Sequence, residues 1–242
     1  MSLDLPHRLQ STYHETFREG PGGWIGWRGQ TDGAYRLETD GKALVSRSPW
    51  WVDYNHAPPG GGYLHLLYVL HTFHGEGFPE KVKQLGGVNR FVLDGHPRDF
   101  THARVSLRWK GEIDLKGARC SLLVQSKVRG TYINLVFRRQ CFDLTPDWSW
   151  QTLTLDPDPQ SWTPLGSRFD RLERYGDAPV SEVLKDVNGD IIIVLFPLTV
   201  QPAGNIDGDP HRLRAGEDYP VRTDLLPSGH VVLDEVRIEF RR

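Results

Sequence analysis

Polar side chains that can donate hydrogen bonds recur at alternate positions in two stretches of the chain, residues 100–110 and 118–140. Side chains of a β-strand alternate between its two faces, so each stretch predicts strands with one polar face. If the two stretches are neighbours in one sheet, their polar faces join into a single basic set: Arg104, Ser106, Arg108, Gln125, Lys127, Arg129, Tyr132, Asn134 and Arg138. Such a set could hydrogen-bond hydroxyl groups and pair with anions through arginine. The alternative is a solvated outer face, since antiparallel sheets commonly expose one side to water.

The segment 49–62 adds aromatic and polar side chains outside any strand. Its sequence, PWWVDYNHAPPGGG, is typical of a loop because of its prolines and glycines. Loops that carry such residues on a rigid scaffold often bind ligands. The alternative is a stiff surface loop whose aromatic rings fold underneath. With this segment included, the ligand-binding candidates are Trp51, His56, Arg104, Arg108, Gln125, Lys127, Tyr132 and Asn134.

Three histidines, His65, His71 and His74, lie in or beside the apolar stretch 63–73. Zinc sites combine histidine with cysteine or carboxylate ligands, and neither stands at a ligand spacing beside these residues. We therefore expect the histidines to lie in the core or at its rim. The stretch is apolar almost throughout, so its periodicity does not separate a buried strand from a buried helix.

Residues 118–140 predict a long β-hairpin. Apolar and polar residues alternate up to a glycine, and β-branched and aromatic residues resume directly after it. A two-residue loop at Gly130-Thr131 would place Cys120 opposite Cys141 on the neighbouring strand. Adjacent strands can bring two thiols within bonding distance, but cytoplasmic proteins keep their thiols reduced. The expectation is a pair of neighbouring, reduced cysteines.

The rest of the pattern predicts short strands separated by turns. Candidate strands cover residues 13–17, 34–38, 43–48, 150–155, 190–200 and 230–240. The stretch 190–200 is apolar on both sides, which is typical of a central strand. In the stretch 230–240, Val232 and Val236 are expected on the same face. Residues 180–187 favour a short helix, so the prediction is an all-β fold with one or two short helices.

Length and composition limit the function classes. The chain has 242 residues with 25 glycines, 17 prolines and one methionine, which favours a single turn-rich β-domain preceded by a flexible arm at residues 1–12. A formal net charge of −2 gives no general attraction to nucleic acid or to an anionic membrane. There is no stretch of about 18 apolar residues that could span a membrane. The N-terminus MSLDLPHRLQ lacks the apolar core of a secretory signal, so we expect a cytoplasmic protein.

Two segments carry a resemblance to a known family. DWSWQTLTLDP at 147–157 and GHVVLDEVRIEF at 229–240, within the run of short strands, resemble carbohydrate-binding jelly-roll modules of the concanavalin A-like lectin and glucanase architecture. The resemblance implies a two-sheet antiparallel β-sandwich that binds an oligo- or polysaccharide on a concave sheet face. In such modules an aspartate in the last strand and an acidic residue near the first hold a structural calcium ion. Asp234 and Glu15 stand at those places here, and no other cofactor is implied.

Enzymatic relatives of this architecture provide a second hypothesis. Laminarinase-like members carry Glu-x-Asp-x-Glu on one strand, but Arg237 replaces the aspartate between Glu235 and Glu239. Jelly-roll polysaccharide lyases neutralise a uronate with Gln, Asn or Arg while Tyr or His moves protons, which makes Tyr132 and His56 the catalytic candidates.

The function expected from the sequence is therefore non-catalytic binding of a glycan, with an acidic glycan as one option. The first alternative is a polysaccharide lyase, or a related carbohydrate-active enzyme, that uses the same groove. The second is an assembly subunit whose sheet face docks a protein.

Overall fold

The structure, a computed structural model, describes residues 12–30, 33–172 and 174–241. It confirms the predicted fold class, since the strands form two antiparallel sheets that pack as a β-sandwich. The arm expected over residues 1–12 lies outside the described residues apart from Thr12. None of the helices in the described ranges is long and apolar enough to cross a membrane.

Thirteen strands form the two sheets in the described part of the chain. They are β1 (Thr12–Glu15), β2 (Trp24–Trp27), β3 (Ala34–Tyr35), β4 (Glu38–Asp40), β5 (Ala43–Arg47), β6 (His65–His71), β7 (Arg104–Asp114), β8 (Arg119–Val128), β9 (Thr131–Phe137), β10 (Ser149–Thr154), β11 (Trp162–Pro164), β12 (Asp190–Phe196) and β13 (Ser228–Glu239). Sheet A has the order β10–β7–β13–β5–β4, with β1 also paired to β13. Sheet B has the order β11–β9–β8–β12–β6–β2–β3.

Three short helices connect these strands in the described ranges. They are α1 (Glu80–Gly86), α2 (Arg90–Leu93) and α3 (Val180–Lys185). Helix α3 confirms the helix expected at 180–187. Single 3-10 turns lie at Pro159–Ser161, Phe169–Arg171 and Thr223–Leu225.

The strand predicted at 100–110 forms as β7, but the hypothesis that it lies beside the hairpin is wrong. β7 pairs with β10 and β13 in sheet A, whereas the hairpin strands β8 and β9 lie in sheet B. A tight turn at residues 115–118 carries the chain from one sheet to the other. Both strands turn their apolar faces toward one core, with Val105 on one side and Leu122 on the other. Their polar faces therefore point to opposite outer surfaces of the sandwich.

The hairpin itself is present, with its turn one residue earlier than expected. Arg129 and Gly130 form the two-residue loop with φ angles of 49° and 90°, which matches a type I′ turn that needs positive φ at both positions. A type I′ loop at Gly130-Thr131 would have placed β-branched Thr131 at a positive φ, a disfavoured conformation. The corrected register runs from the pair Leu123–Val136 to the pair Val128–Thr131. Beyond it, an isolated bridge pairs Cys120 with Phe142 instead of Cys141, and both cysteines are unbonded.

One large hydrophobic cluster fills the space between the sheets. Strand β13 contributes Leu233 to it, and also Val236 beyond a register shift at Asp234. A bulge of this kind inserts one residue and changes which face the following side chains take. As a result, Val232 does not share the face of Val236 and instead packs with β5 residues on the outer side of sheet A.

Sheet B is apolar on its outer face as well as toward the core. The ambiguous stretch 63–73 forms strand β6 beside β12, and both strands are buried over most of their length. A strand covered on both faces loses the alternation that would identify it. The outer apolar cluster includes Leu66, Val69, Leu123 and Ile192. Sheet B therefore has a second interior, which forms between its outer face and the segments that cover it.

The turn at Arg129–Gly130 gives a test of the hairpin register. Gly130 has a φ of 90°, and a Cβ there would meet no atom within 4 Å, so the cost of a side chain is conformational. We expect Gly130→Ala to lower the free energy of unfolding by about 1–2 kcal/mol, measured by urea denaturation. The control Gly204→Ala, which also has open space but no left-handed φ, should change it by less than about 0.5 kcal/mol. Equal effects of the two substitutions would contradict the turn assignment.

Candidate functional site

A row of four polar side chains crosses the outer face of sheet B. Asp190 on β12 stands opposite His71 on β6 and, on its other side, opposite Gln125 on β8. Gln125 in turn faces Asn134 on β9. Neighbouring strands lie about 4.8 Å apart, so the row spans roughly 14 Å. The next row on the same face is apolar and consists of Val69, Ile192, Leu123 and Val136.

Hydrogen bonds link the members of this polar row. The Gln125 amide donates to Asn134 Oδ1 at 2.8 Å, and Asn134 Nδ2 lies 3.3 Å from His56 Nε2. His56 Nδ1 lies 2.6 Å from the carbonyl oxygen of Gly166. A carbonyl can only accept, so His56 donates through Nδ1, and Nε2 is the ring nitrogen that faces the Asn134 amide. At the other end of the row, His71 Nδ1 is in hydrogen-bonding contact with Asp190 Oδ1.

Two chain segments, residues 49–62 and residues 165–172 with 174–176, cover part of this face. The backbone N–H of Arg168 donates to the carbonyl of Asn55 at 2.8 Å and joins the two segments. The Arg168 side chain is almost fully buried and pairs with Asp170. A buried charge is tolerated when it is paired and hydrogen-bonded, so the Arg168 side chain can stay inside its segment while the backbone bond to Asn55 links the two segments. The loop predicted at 49–62 is confirmed.

Tyr175 extends from the covering segment over the polar row. Its ring centroid lies 4.6 Å from that of His56. Burial raises the pKa of the Tyr175 hydroxyl, and the nearby carboxylate of Asp53 raises it further. The phenol therefore keeps its proton at neutral pH and can act as a hydrogen-bond donor.

The covering segments leave a cavity of about 260 Å³ above the row. Leu66 and Ile192 contribute to its apolar floor, and Trp27 and Trp51 stand at one side. The described residues that line the cavity carry three formal charges apart from histidine: Asp53, Asp190 and Arg174. The cavity thus combines aromatic walls with a nearly balanced set of charged and amide groups.

Five of the predicted ligand residues line this cavity. They are Trp51, His56, Gln125, Tyr132 and Asn134. Lys127 lies just outside it, with Nζ 5.7 Å from the centroid of the Tyr132 ring.

Arg104 and Arg108 lie on the other side of the sandwich, so placing them with the hairpin residues was wrong. Arg104 pairs with Glu239 at 3.3 Å, and Arg108 contacts Asp234. The outer face of sheet A therefore mixes both signs of charge, as a solvated face does. The predicted strongly basic groove does not form, because β7 and the hairpin belong to different sheets.

Several cavity residues were missed in the sequence. They are Trp27, Asp53, His71, Arg174, Tyr175 and Asp190. His71 was interpreted as a core or rim histidine, although it pairs with Asp190. A usable signal was present in Asp190, a carboxylate at the start of an otherwise apolar strand. Its partner could not be identified without knowing that β12 lies between β6 and β8.

The two carboxylates implied by the family resemblance do not fit a calcium site. Both oxygens of buried Glu15 accept hydrogen bonds from Arg90, at 2.7 and 2.6 Å. Glu15 pairs with Val236, a core residue, whereas Asp234 contacts Arg108 on the outer face of sheet A. Calcium needs several oxygen ligands around one point, and these carboxylates lie on opposite faces of the sheet. In the described ranges, no group of three or more His, Cys, Asp or Glu side chains could hold a metal ion.

Comparison of the chain with protein-family models, with curated proteins and with solved structures found no match. The site is therefore interpreted from its geometry and chemistry. A concave, partly apolar cavity with a few convergent polar groups is the usual form of a small-molecule site.

Asp53 gives a pH-dependent test of this geometry. Its Oδ1 accepts a hydrogen bond from the Asn55 backbone at 2.8 Å, and burial raises the pKa of its carboxyl group. Because the folded pKa exceeds the unfolded one, the folded state binds the proton more tightly and stability falls as pH rises through this window. We expect Asp53→Asn to increase the free energy of unfolding at pH 7, and the gain to shrink as pH falls toward about 4.

The measurement is urea denaturation at both pH values. Exposed Asp143 provides the control, since Asp143→Asn removes a carboxylate that makes no buried contact and should change stability little. A loss of stability in Asp53→Asn at pH 7 would contradict the environment described for this side chain.

Proposed function

We propose that the cavity on the outer face of sheet B binds carbohydrate, an oligo- or polysaccharide. The observation that carries the proposal is the in-register polar row from His71 to Asn134, which lies beside an apolar row and beneath aromatic rings. Sugar hydroxyls both donate and accept hydrogen bonds, and this row offers carboxylate and amide oxygens as well as amide N–H groups. The apolar faces of a sugar ring match the rings of Trp27, Trp51 and Tyr175.

Unpaired polar atoms in the lining support the same proposal. Trp51 Nε1, Asn55 Oδ1 and His71 Nε2 are buried and have no hydrogen-bond partner within the described structure. Buried polar groups in folded proteins are normally paired. Three such atoms around one cavity fit a site that binds a ligand rich in hydroxyl groups.

The charges of the cavity favour a neutral glycan over an acidic one. Two carboxylates, Asp53 and Asp190, line it against one guanidinium, Arg174. The arginines that suggested an acidic ligand, Arg104 and Arg108, lie on the opposite outer face. An acidic sugar would meet a carboxylate of like charge, which opposes binding.

A polysaccharide lyase is the second candidate, and one observation favours it. Tyr175, a protonated phenol, lies against the imidazole of His56 inside the cavity, with the two rings tilted by 56°. Such a pair could donate and accept protons during elimination, while the amides of Gln125 and Asn134 hydrogen-bond the uronate. In this reading Tyr175 takes the role expected of Tyr132, which is 38% exposed at the mouth. Formation of unsaturated sugar products, followed by ultraviolet absorbance, would support the lyase.

The remaining parts of the proposal follow from the same surfaces. The outer face of sheet A carries paired charges, and covering segments lie over the outer face of sheet B, so no observation favours an assembly role. A net charge of −2 provides no electrostatic reason for binding nucleic acid or membrane.

We propose a cytoplasmic location because the two free cysteines, Cys120 and Cys141, suit a reducing compartment.

Substitutions on the two outer faces test the proposed site. Gln125→Ala removes a neutral hydrogen bond with a net contribution of about 0.5–1.5 kcal/mol, so affinity for the sugar should fall about 2- to 10-fold. Arg108→Ala, on the opposite face, is the matched control and should leave affinity unchanged. The ligands are the strongest hits from an array of neutral and uronic-acid oligosaccharides, and affinities are measured by titration calorimetry. An array without hits, or a loss confined to Arg108→Ala, would reject the proposal.

A further inference from the structure

The cavity shares lining residues with two other depressions. Tyr132 forms a wall shared with a depression of about 610 Å³, and Trp27 and Trp51 form walls shared with one of about 490 Å³. Tyr132 lies on β9 and Trp27 on β2, four strands apart in sheet B. At about 4.8 Å per strand, these two shared residues are separated across the strands by roughly 19 Å. The cavity is therefore bordered by a further depression at each of these two walls.

The depression beyond Tyr132 has an aromatic side chain at each border. Phe73 is 48% exposed and Tyr132 is 38% exposed. Arg98 lies 5.3 Å from the Phe73 ring, and Lys127 lies 5.7 Å from the Tyr132 ring. Asn188 accepts a hydrogen bond from the Lys127 backbone at 2.7 Å and holds the base of the depression in place.

The depression beyond Trp27 repeats this combination of an aromatic ring and a cation. The guanidinium of Arg28 lies 4.3 Å from the centroid of the Tyr35 ring. Arg47 is exposed at its border and has only a long contact, 3.8 Å, to Glu38. Both flanks therefore offer an apolar ring surface beside hydrogen-bond donors, the same chemistry as the central cavity.

The volumes indicate that the cavity is one part of a longer site. Small-molecule pockets usually measure about 300–1,000 Å³, and the cavity alone has about 260 Å³. The two flanking depressions, with about 490 and 610 Å³, each exceed it. A pocket for the end of a sugar chain would be bordered on one side only, whereas this cavity has a neighbouring depression at each of two walls.

We infer that the ligand is a polysaccharide bound through an internal stretch, with its central part in the cavity and neighbouring sugars in both flanking depressions. This inference rests on the proposed carbohydrate binding and adds the class of ligand. Substitutions in the flanks should then affect the binding of long sugar chains without affecting short chains bound in the cavity. Phe73 and Arg47 are suited to this test because Phe73 lines only one flank and Arg47 only the other.

The test compares sugar chains of increasing length. The probes are neutral glucan, xylan and mannan oligosaccharides from disaccharide to octasaccharide, together with the corresponding soluble polymers. Affinity for the protein should rise with chain length and then level off, and the polymer should bind at least as tightly per site as the octasaccharide. Phe73→Ala and Arg47→Ala should each weaken octasaccharide binding about 3- to 10-fold while leaving disaccharide binding unchanged. Trp150→Ala, on the outer face of sheet A, is the control and should change neither.

The possible results separate the internal-stretch inference from carbohydrate binding itself. Equal affinities for disaccharide and octasaccharide would overturn the internal-stretch inference and leave carbohydrate binding intact. Binding of oligosaccharides without binding of the polymer would do the same, since it would show recognition of chain ends. Failure of every probe, combined with an empty glycan array, would reject carbohydrate binding itself.

Discussion

The strict alternation of side chains along a strand is the constraint on which this structure depends. In sheet B it places the polar row of His71, Asp190, Gln125 and Asn134 on the outer face while the residues between them enter the core. A register slip of one residue in β12 would direct Asp190 toward the core and expose an isoleucine. The packing of the core therefore sets the face on which the polar row lies. In the hairpin, the turn at Arg129–Gly130 sets the register that places Gln125 opposite Asn134.

The two outer faces differ in how their polar groups are used. On sheet A, Arg104 and Arg108 are neutralised by acidic neighbours on β13 and remain partly solvated, and exposed pairs of this kind contribute little to stability. On sheet B, covering segments joined through the backbone of Arg168 enclose the polar row. Enclosure lowers the local dielectric and strengthens hydrogen bonds to a ligand. For this reason the candidate site is the cavity on sheet B and not strand β7 with its arginines on sheet A.

Local patterns in the sequence predicted the fold class, helix α3 and the loop at 49–62, because turn residues and alternation are local signals. Pairing between distant strands could not be predicted in the same way. β7 and the hairpin have the same alternating pattern whether they are neighbours in one sheet or face each other across a core. For this reason Gln125 and Asn134 were found, Arg104 and Arg108 were misplaced, and the partnership of His71 with Asp190 was missed. The calcium site failed similarly, since Glu15 and Asp234 are close in register but lie on opposite faces.

The most direct test is a side-chain NMR titration with the strongest oligosaccharide from the glycan array. We expect the side-chain amide signals of Gln125 and Asn134 and the indole N–H of Trp51 to shift on binding. The indole signals of Trp148 and Trp150, on the outer face of sheet A, should stay in place. Shifts confined to those two tryptophans, with the Gln125 and Asn134 amides unchanged, would show that the ligand binds the opposite face and would contradict the account.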